Sequence, residues 1–208
     1  MTPSALQMLF AQRRARLLTF FGPSGVGKTT VKNGLISKNP LFSRVVTSTT
    51  RQARPGEANG VDYFFLSPAE FRQRAAEGRF LETNQFNGNS YGLEAEELAR
   101  HLRNSKWPAM DIDINGASSL RKLLGSSCLF SVFVKPPREE VIRQRLVSRG
   151  SETEESIRKR LEIGRGELAR IEREIAYDFE LVNDEVAQAV DRLEQELLRR
   201  FPHIASRT

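Results

Sequence analysis

One cysteine and two histidines are all that 208 residues offer of the side chains that build disulfides and most nucleophile or zinc sites. Cys128 has no partner, which excludes an internal disulfide framework and gives no support to an oxidising compartment. Its apolar neighbours in "SCLFSVFV" make it a core residue. His101 and His203 stand in helical or terminal stretches and are expected at the surface, and no convincing Ser-His-Asp or metal-ligand cluster can be assembled from the chain. Long apolar runs are also missing. "LLTFFG" and "SCLFSVFV" fall far below the ~20 residues a membrane span needs, and no apolar region leads to a signal-peptide cleavage site, so a cytoplasmic protein without membrane association is expected. The net charge of +6 is not gathered into one tract, and no aromatic RNA-binding signature accompanies it, which disfavours nucleic acid and suits small anions. The opening "MTPSALQMLFAQRRAR", with three arginines and no acid, reads as a plain basic leader. There is no internal repeat or low-complexity stretch.

What is present is alternation. With 39% hydrophobic and 28% charged residues the chain supports one globular unit. Short apolar runs at 17–21, 107–114, 127–134 and 179–182 read as buried strands, and helical patterns at 29–38, 94–105, 116–124, 138–149 and 186–200 separate them. That order predicts a parallel sheet covered by helices on both faces. Two segments break it. Residues 45–92 carry short strand-like pieces, "VVTSTT", "VDYFFLS" and "RFLETNQF", with many turns and little long helix. Residues 151–176 read as a long helix opened by a capping box from Ser151 and Glu154, with Ile157, Leu161, Leu168, Ile171 and Ile175 on one face. Gly164 stands where that stripe calls for an apolar residue and, with Gly166 nearby, predicts a kink or a break.

Function begins in "FFGPSGVGKT". Gly22, Gly27, Lys28 and Thr29 satisfy G-x-x-x-x-G-K-[ST], between a strand and a helix as that motif requires. The glycines let successive N–H groups turn inward on a phosphate, and the helix N-terminus adds partial positive charge. Lys28 reaches the β and γ phosphates, and Thr29 offers its hydroxyl to Mg2+. The triphosphate-binding set is therefore Gly22, Ser24, Gly25, Val26, Gly27, Lys28, Thr29 and Thr30. For the acceptor, "TSTTRQARPGEANGVDYFFLS" puts Arg51 and Arg54 three residues apart, with hydroxyls before them and Tyr63 after. Two guanidinium forks and a phenol suit a phosphate monoester. Further on, "FLETNQFNGNSYG" places Glu82 on a strand and Tyr91 in a glycine-bounded turn.

With these residues in view, the chain resembles the guanylate kinase family over nearly its whole length, from the phosphate loop to "LVND" at 181–184. "TTRQARPGEANGVDYFF", "FLE", "YG", "DIDINGA", "SRGSETEES" and "RKRL" carry the likeness. The resemblance implies that Arg51, Arg54, Tyr63 and Tyr91 hold the GMP phosphate, that Thr47 and Glu82 face guanine, and that Glu57 is the acidic residue of the same loop. Lys28 and Thr29 match the ATP and Mg2+ positions. Asp111 and Asp113 match an acidic pair implicated in metal-water and acceptor contacts. Arg145, Arg149 and Arg160 match lid arginines that close on the transferring phosphate, and Asn183 falls near the adenine pocket. Ser90 and Leu93 depart from the pattern, which has a second tyrosine and a hydroxyl there. The leucine is expected to forgo one hydrogen bond to the base.

The chemistry agrees with the set. Guanine presents adjacent N1–H and N2–H donors that one carboxylate accepts, whereas adenine would meet Glu82 with an acceptor. Phosphoryl transfer needs alignment and positive charge rather than a side-chain nucleophile. The expectation is an α/β P-loop NTPase fold with a parallel sheet core at 1–45, 94–139 and 179–208, a small mixed β/α GMP-binding insert at 46–93 and a helical lid at 140–178. Its reaction is ATP plus GMP (or dGMP) giving ADP plus GDP, with Mg2+, as a monomer or homodimer. The alternatives are a catalytically weak binding module, which the retained Lys28 disfavours, and a same-fold kinase for another phosphorylated small molecule, which Arg54 with Glu82 disfavours.

Overall fold

The computed structural model describes residues 1–86, 88–148 and 153–207. The chain opens with helix α1, Pro3–Arg13, where a basic leader was expected. Thr2 accepts from Ala5 N, Pro3 occupies the first turn, where its missing N–H costs nothing, and Arg14 ends the helix in the left-handed region. Leu6 and Phe10 are fully buried in the main core, so the segment is part of the domain. Strand β1, Leu17–Phe21, is buried at every position and pairs in parallel on both edges, which accounts for its unbroken apolar run.

The core sheet is parallel, in the order β2-β7-β1-β8-β9. β2 is Phe42–Arg44, β7 is Trp107–Asp111, β8 is Leu129–Lys135 and β9 is Phe179–Val182. Helix α2, Lys28–Lys38, packs with α8, Val186–Arg200, while α1 packs on α4, Ala95–Arg103, and α5, Ile114–Leu124. The expected strand over 107–114 ends at Asp111, because Asp113 caps α5 by accepting from Gly116 N at 2.8 Å.

Between β2 and α4 the chain builds a second sheet, β4-β3-β6-β5, from Ser48–Thr49 (β3), Phe64–Phe65 (β4), Phe80–Phe86 (β5) and Asn89–Glu94 (β6). Helix α3, Pro68–Ala76, lies in the same segment. Only long helix was discounted there, and this nine-residue one was not predicted, although Ser67 and Glu70 form a capping box and Pro68 fills the first position, all visible in "SPAE". Leu93 is fully buried with the main core, and the lining of the neighbouring cavity comes from Gly92 instead. The expectation that Leu93 withholds a hydrogen bond from a base is therefore replaced by a packing role.

Helix α6, Glu139–Ser148, is followed by α7, Glu154–Glu174. Thr153 caps α7 by accepting from Ser156 N at 3.2 Å, so the start moves from the expected 151 to 154; Ser151 lies outside the described residues. The predicted break at Gly164 does not occur. A glycine costs a helix about 1 kcal/mol, and the burial of Ile157 and Ile171 with Leu161, Leu168 and Ile175 beside them outweighs it. Gly164 is itself buried, and a Cβ there would lie 3.5 Å from Pro23 Cβ, so α7 rests directly on the phosphate loop. His101 also corrects its expectation. It is buried, bonded to Ser43 Oγ at 2.7 Å and to Glu97 at 3.0 Å. Burial alone would raise the Glu97 pKa, but bonds from His101, Arg100 and Val46 N hold it at about 2. Cys128 is buried, as expected.

Candidate active site

The loop after β1 owes its shape to two close approaches. A Cβ at Gly22 would sit 2.3 Å from Val134 O, and one at Gly27, whose φ is +90°, 2.4 Å from Asn183 Nδ2. Neither position admits a side chain. Asn183 is fully buried and donates to Val26 O at 2.7 Å; its Oδ1 has no partner. Arg145 on α6 donates to Val26 O at 3.1 Å and to the carbonyls of Asn183 and Asp184 at 2.9 and 3.0 Å. Arg160 on α7 donates to Ser24 Oγ at 2.9 Å. Both guanidinium groups thus brace the loop from outside, while Arg149 lies outside the described residues. Lys28 Nζ crosses the loop's mouth, donating to Gly22 O at 2.7 Å and Pro23 O at 2.9 Å. Thr29 and Thr30 are exposed in the first turn of α2.

A cavity of about 490 Å³ opens from this loop toward the second sheet. Gly22, Ser24 and Lys28 form its floor, Thr47, Tyr63, Glu82, Asn84 and Tyr91 its far wall, and Asp111, Asp113 and Glu167 its remaining sides. Strand alternation explains the far wall. Glu82 and Asn84 are two apart on β5, and Asn84 pairs in register with Tyr91 of β6. The rings of Tyr63 and Tyr91 meet edge to face at 6.1 Å. Behind them the Arg51 guanidinium lies 5.3 Å from the Tyr63 ring and 5.8 Å from that of Phe65. Glu57 uses one carboxylate oxygen on Arg51 Nη2 and the other on Arg54 N, each at 2.8 Å. Those bonds hold its carboxyl below the usual range. Glu57 is therefore the organiser of the arginine loop, and Arg54 is exposed at the loop's surface.

Electrostatics divide the acids. Burial, with Asp113 nearby, raises the Glu82 pKa to about 7. Glu167 on α7 is also shifted up, chiefly by burial, with Lys28 opposing and Asp113 adding to the shift. Asp113 accepts from Asn84 Nδ2 as well as from Gly116 N. Asp111 accepts twice on one oxygen, from Thr29 Oγ1 at 2.9 Å and Lys32 Nζ at 2.8 Å, and its other oxygen is buried without a partner. Burial pushes the Tyr63 phenol up, which keeps it a neutral donor.

The sequence reading missed Lys32, Asn84 and Glu167. Helical spacing was the available signal for two of them, since Lys32 stands four residues after Lys28, and Glu167 two turns after Arg160. Asn84 follows Glu82 by one strand period, a weaker sign because it presupposes the strand.

A guanylate kinase family model matches residues 14–200. The chain is 42% identical over 178 residues to guanylate kinase of Thermobifida fusca, covering 86% of this chain and 88% of that one. It is 38% identical over 178 residues to guanylate kinase of Lactobacillus johnsonii, covering 85% of each. Among solved structures, the guanylate kinase of Anaplasma phagocytophilum superposes with a TM-score of 0.70 at 27% identity, over 89% of this chain and 86% of that one.

Proposed function

Because the chain belongs to the guanylate kinase family, we propose that its cavity aligns ATP and GMP for transfer of the γ-phosphoryl group, giving ADP and GDP, with dGMP as a second acceptor. The observation that carries this reading is the shared cavity. Lys28 and the phosphate loop stand on one side of it, and Glu82 with Tyr63 and Tyr91 on the other.

Glu82 accepts from N1–H and N2–H of guanine, with Thr47 beside it, and a purine lacking those donors leaves the carboxylate unpaired in a half-buried wall. The acceptor phosphate meets the two phenols and Arg51, which Glu57 keeps in place; Arg54 reaches it from the exposed rim. On the donor side, turned-in backbone N–H groups and Lys28 take the triphosphate. Lys28 exchanges its two loop carbonyls for phosphate oxygens. Arg145 and Arg160, anchored on the loop itself, hold their charge beside the migrating group without needing a long excursion. Asn183 sets the loop's back wall, next to the adenine. No covalent intermediate is needed, so the protein's work is alignment and charge.

The residues also fit a divalent cation. Thr29 and Asp111 already touch, and the unpartnered Asp111 oxygen, buried among polar neighbours, supplies an unused ligand or an acceptor for metal-bound water. Mg2+ bound there with ATP would neutralise charge on the β and γ phosphates. The need for ATP as donor supports a cytoplasmic site of action, and among the described residues no helix is long and apolar enough to cross a membrane.

A coupled assay of ADP release tests the reading with GMP, dGMP, AMP, IMP and no acceptor. GMP should be the best acceptor, and Lys28→Ala should cut turnover by about 10²-fold or more, the scale of losing one electrostatic contact to the transition state, while the melting transition stays in place. Undiminished turnover in that variant would overturn it.

A further inference from the structure

Lys32 is a buried ammonium at the edge of the phosphate-loop cavity. Its side chain is 4% exposed, and its neighbours along α2, Val31 and Leu35, are fully buried core residues. Lysine is almost never found so deep unless it is paired. Its partner is Asp111, through the same oxygen that takes the Thr29 hydroxyl. The geometry follows from α2, in which positions 28, 29 and 32 share one face at helical spacing. One carboxylate oxygen is therefore committed twice, and the other, Oδ1, is buried with nothing bonded to it.

We infer that Lys32 is a positioning residue that acts as a resident counter-cation of the metal site, so that a divalent cation is accepted with the nucleotide and not before it. A cation held by the protein alone would find one hydroxyl and one carboxylate whose charge an ammonium 2.8 Å away already balances. That is a poor ligand set for Mg2+, which sheds water reluctantly. The triphosphate brings the missing negative charge, and Oδ1, left unbonded while Oδ2 takes Lys32, is then ready to meet the complex. Lys32 also keeps Asp111 from being an uncompensated charge in the nucleotide-free protein. The inference rests on the assignment of Thr29 and Asp111 to the metal.

The test is Mn2+ binding, read by electron paramagnetic resonance of the free ion, with no nucleotide present. Wild type is compared with Lys32→Met, which is apolar and of similar length, and with Lys32→Gln, which keeps a donor to Asp111 but drops the charge. Both variants should bind Mn2+ on the order of tenfold tighter than wild type, a modest share of the repulsion expected between charges this close, and adding Asp111→Asn should abolish the gain. Circular dichroism checks that each variant is folded. With a non-hydrolysable ATP analogue present, wild type should take up Mn2+ and the difference between wild type and variants should shrink. Lysine variants that bind Mn2+ no more tightly than wild type would overturn the role of Lys32 while leaving the metal assignment standing. Failure of wild type to retain Mn2+ even with the analogue would overturn both.

Discussion

With Glu82 assigned to guanine as proposed, one side chain would couple base recognition to pH. Its carboxyl has a pKa of about 7, so near neutrality about half of the free protein carries it protonated. Guanine needs the ionised form, because both of its facing groups are donors. GMP binding should then release a proton, and the KM for GMP should rise about tenfold per pH unit below 7 and level off above it. In Glu82→Gln that dependence should vanish, leaving only the second ionisation of the GMP phosphate near about 6, and KM should be raised roughly 10-fold to 100-fold at pH 8 by loss of a charged hydrogen-bond acceptor. Steady-state kinetics from pH 5.5 to about 8.5 would decide, and an unchanged slope in the glutamine variant would remove Glu82 from the base. The sign for folding is opposite. The folded pKa lies above the ordinary 4.5, so the native state holds the proton more tightly, and rising pH between those two values costs stability. Glu82 itself was legible in the sequence, as a lone acid in "FLETNQF". Its shifted pKa was not, because that depends on burial and on Asp113, which is 31 residues away in the sequence.

At the scale of elements, β6 explains how a residue can look functional and serve packing. Tyr91 and Leu93 are two apart in one strand, and alternation alone would place both toward the substrate. The pairing with β5 is irregular between Phe80 and Glu82, and Leu93 ends in register with Glu82 yet fully buried in the core. Leu93→Ser should therefore act on stability. Loss of the buried isobutyl group costs about 2–5 kcal/mol on the usual large-to-small scale, with the unsatisfied hydroxyl adding to it. Thermal unfolding should show a melting point lowered by several degrees, with KM for GMP in the surviving folded fraction nearly unchanged. A several-fold lower KM without loss of stability would return the residue to the base pocket. Helices α1 and α3 show a different gap. Their capping signals were in the chain, but α1 was hidden by its arginines and α3 by the surrounding turns.

Across the whole molecule, the cavity joins two bodies of different construction. Helix α7 already rests on the phosphate loop through Gly164 against Pro23 and Arg160 on Ser24. The second sheet carries Glu82 and Tyr91, with Tyr63 just before β4, and meets the core at Val46, whose N–H is held by Glu97 at 3.1 Å, and through α5 against β5. Closure over the substrates should accordingly fall mainly on the second sheet, turning where the chain passes into and out of it. Small-angle scattering should record a fall in the radius of gyration, about 17 Å for a compact chain of this length, when GMP and a non-hydrolysable ATP analogue are added together, and a smaller fall with the analogue alone. Equal compaction with the analogue alone would move the hinge to α6 and α7 instead.

The sequence by itself determined the parallel α/β plan and the phosphate loop, because each rests on short-range chemistry. Apolar period reports strand or helix, and "GPSGVGKT" states a loop geometry that only its glycines permit. The tertiary structure alone decided what depends on distant partners. It turned the basic opening into a core helix through the burial of Leu6 and Phe10, and it kept α7 whole across Gly164 through the burial of Ile157 and Ile171. It drew His101 inside to Glu97 and Leu93 into the core, and it set Arg145 and Arg160 against the phosphate loop. Above all it brought Lys32 and Thr29 to Asp111, some 80 residues further along the chain, on a single carboxylate oxygen. Charge pairing across such a distance leaves no local pattern, since it requires only that two elements meet once the sheet has formed.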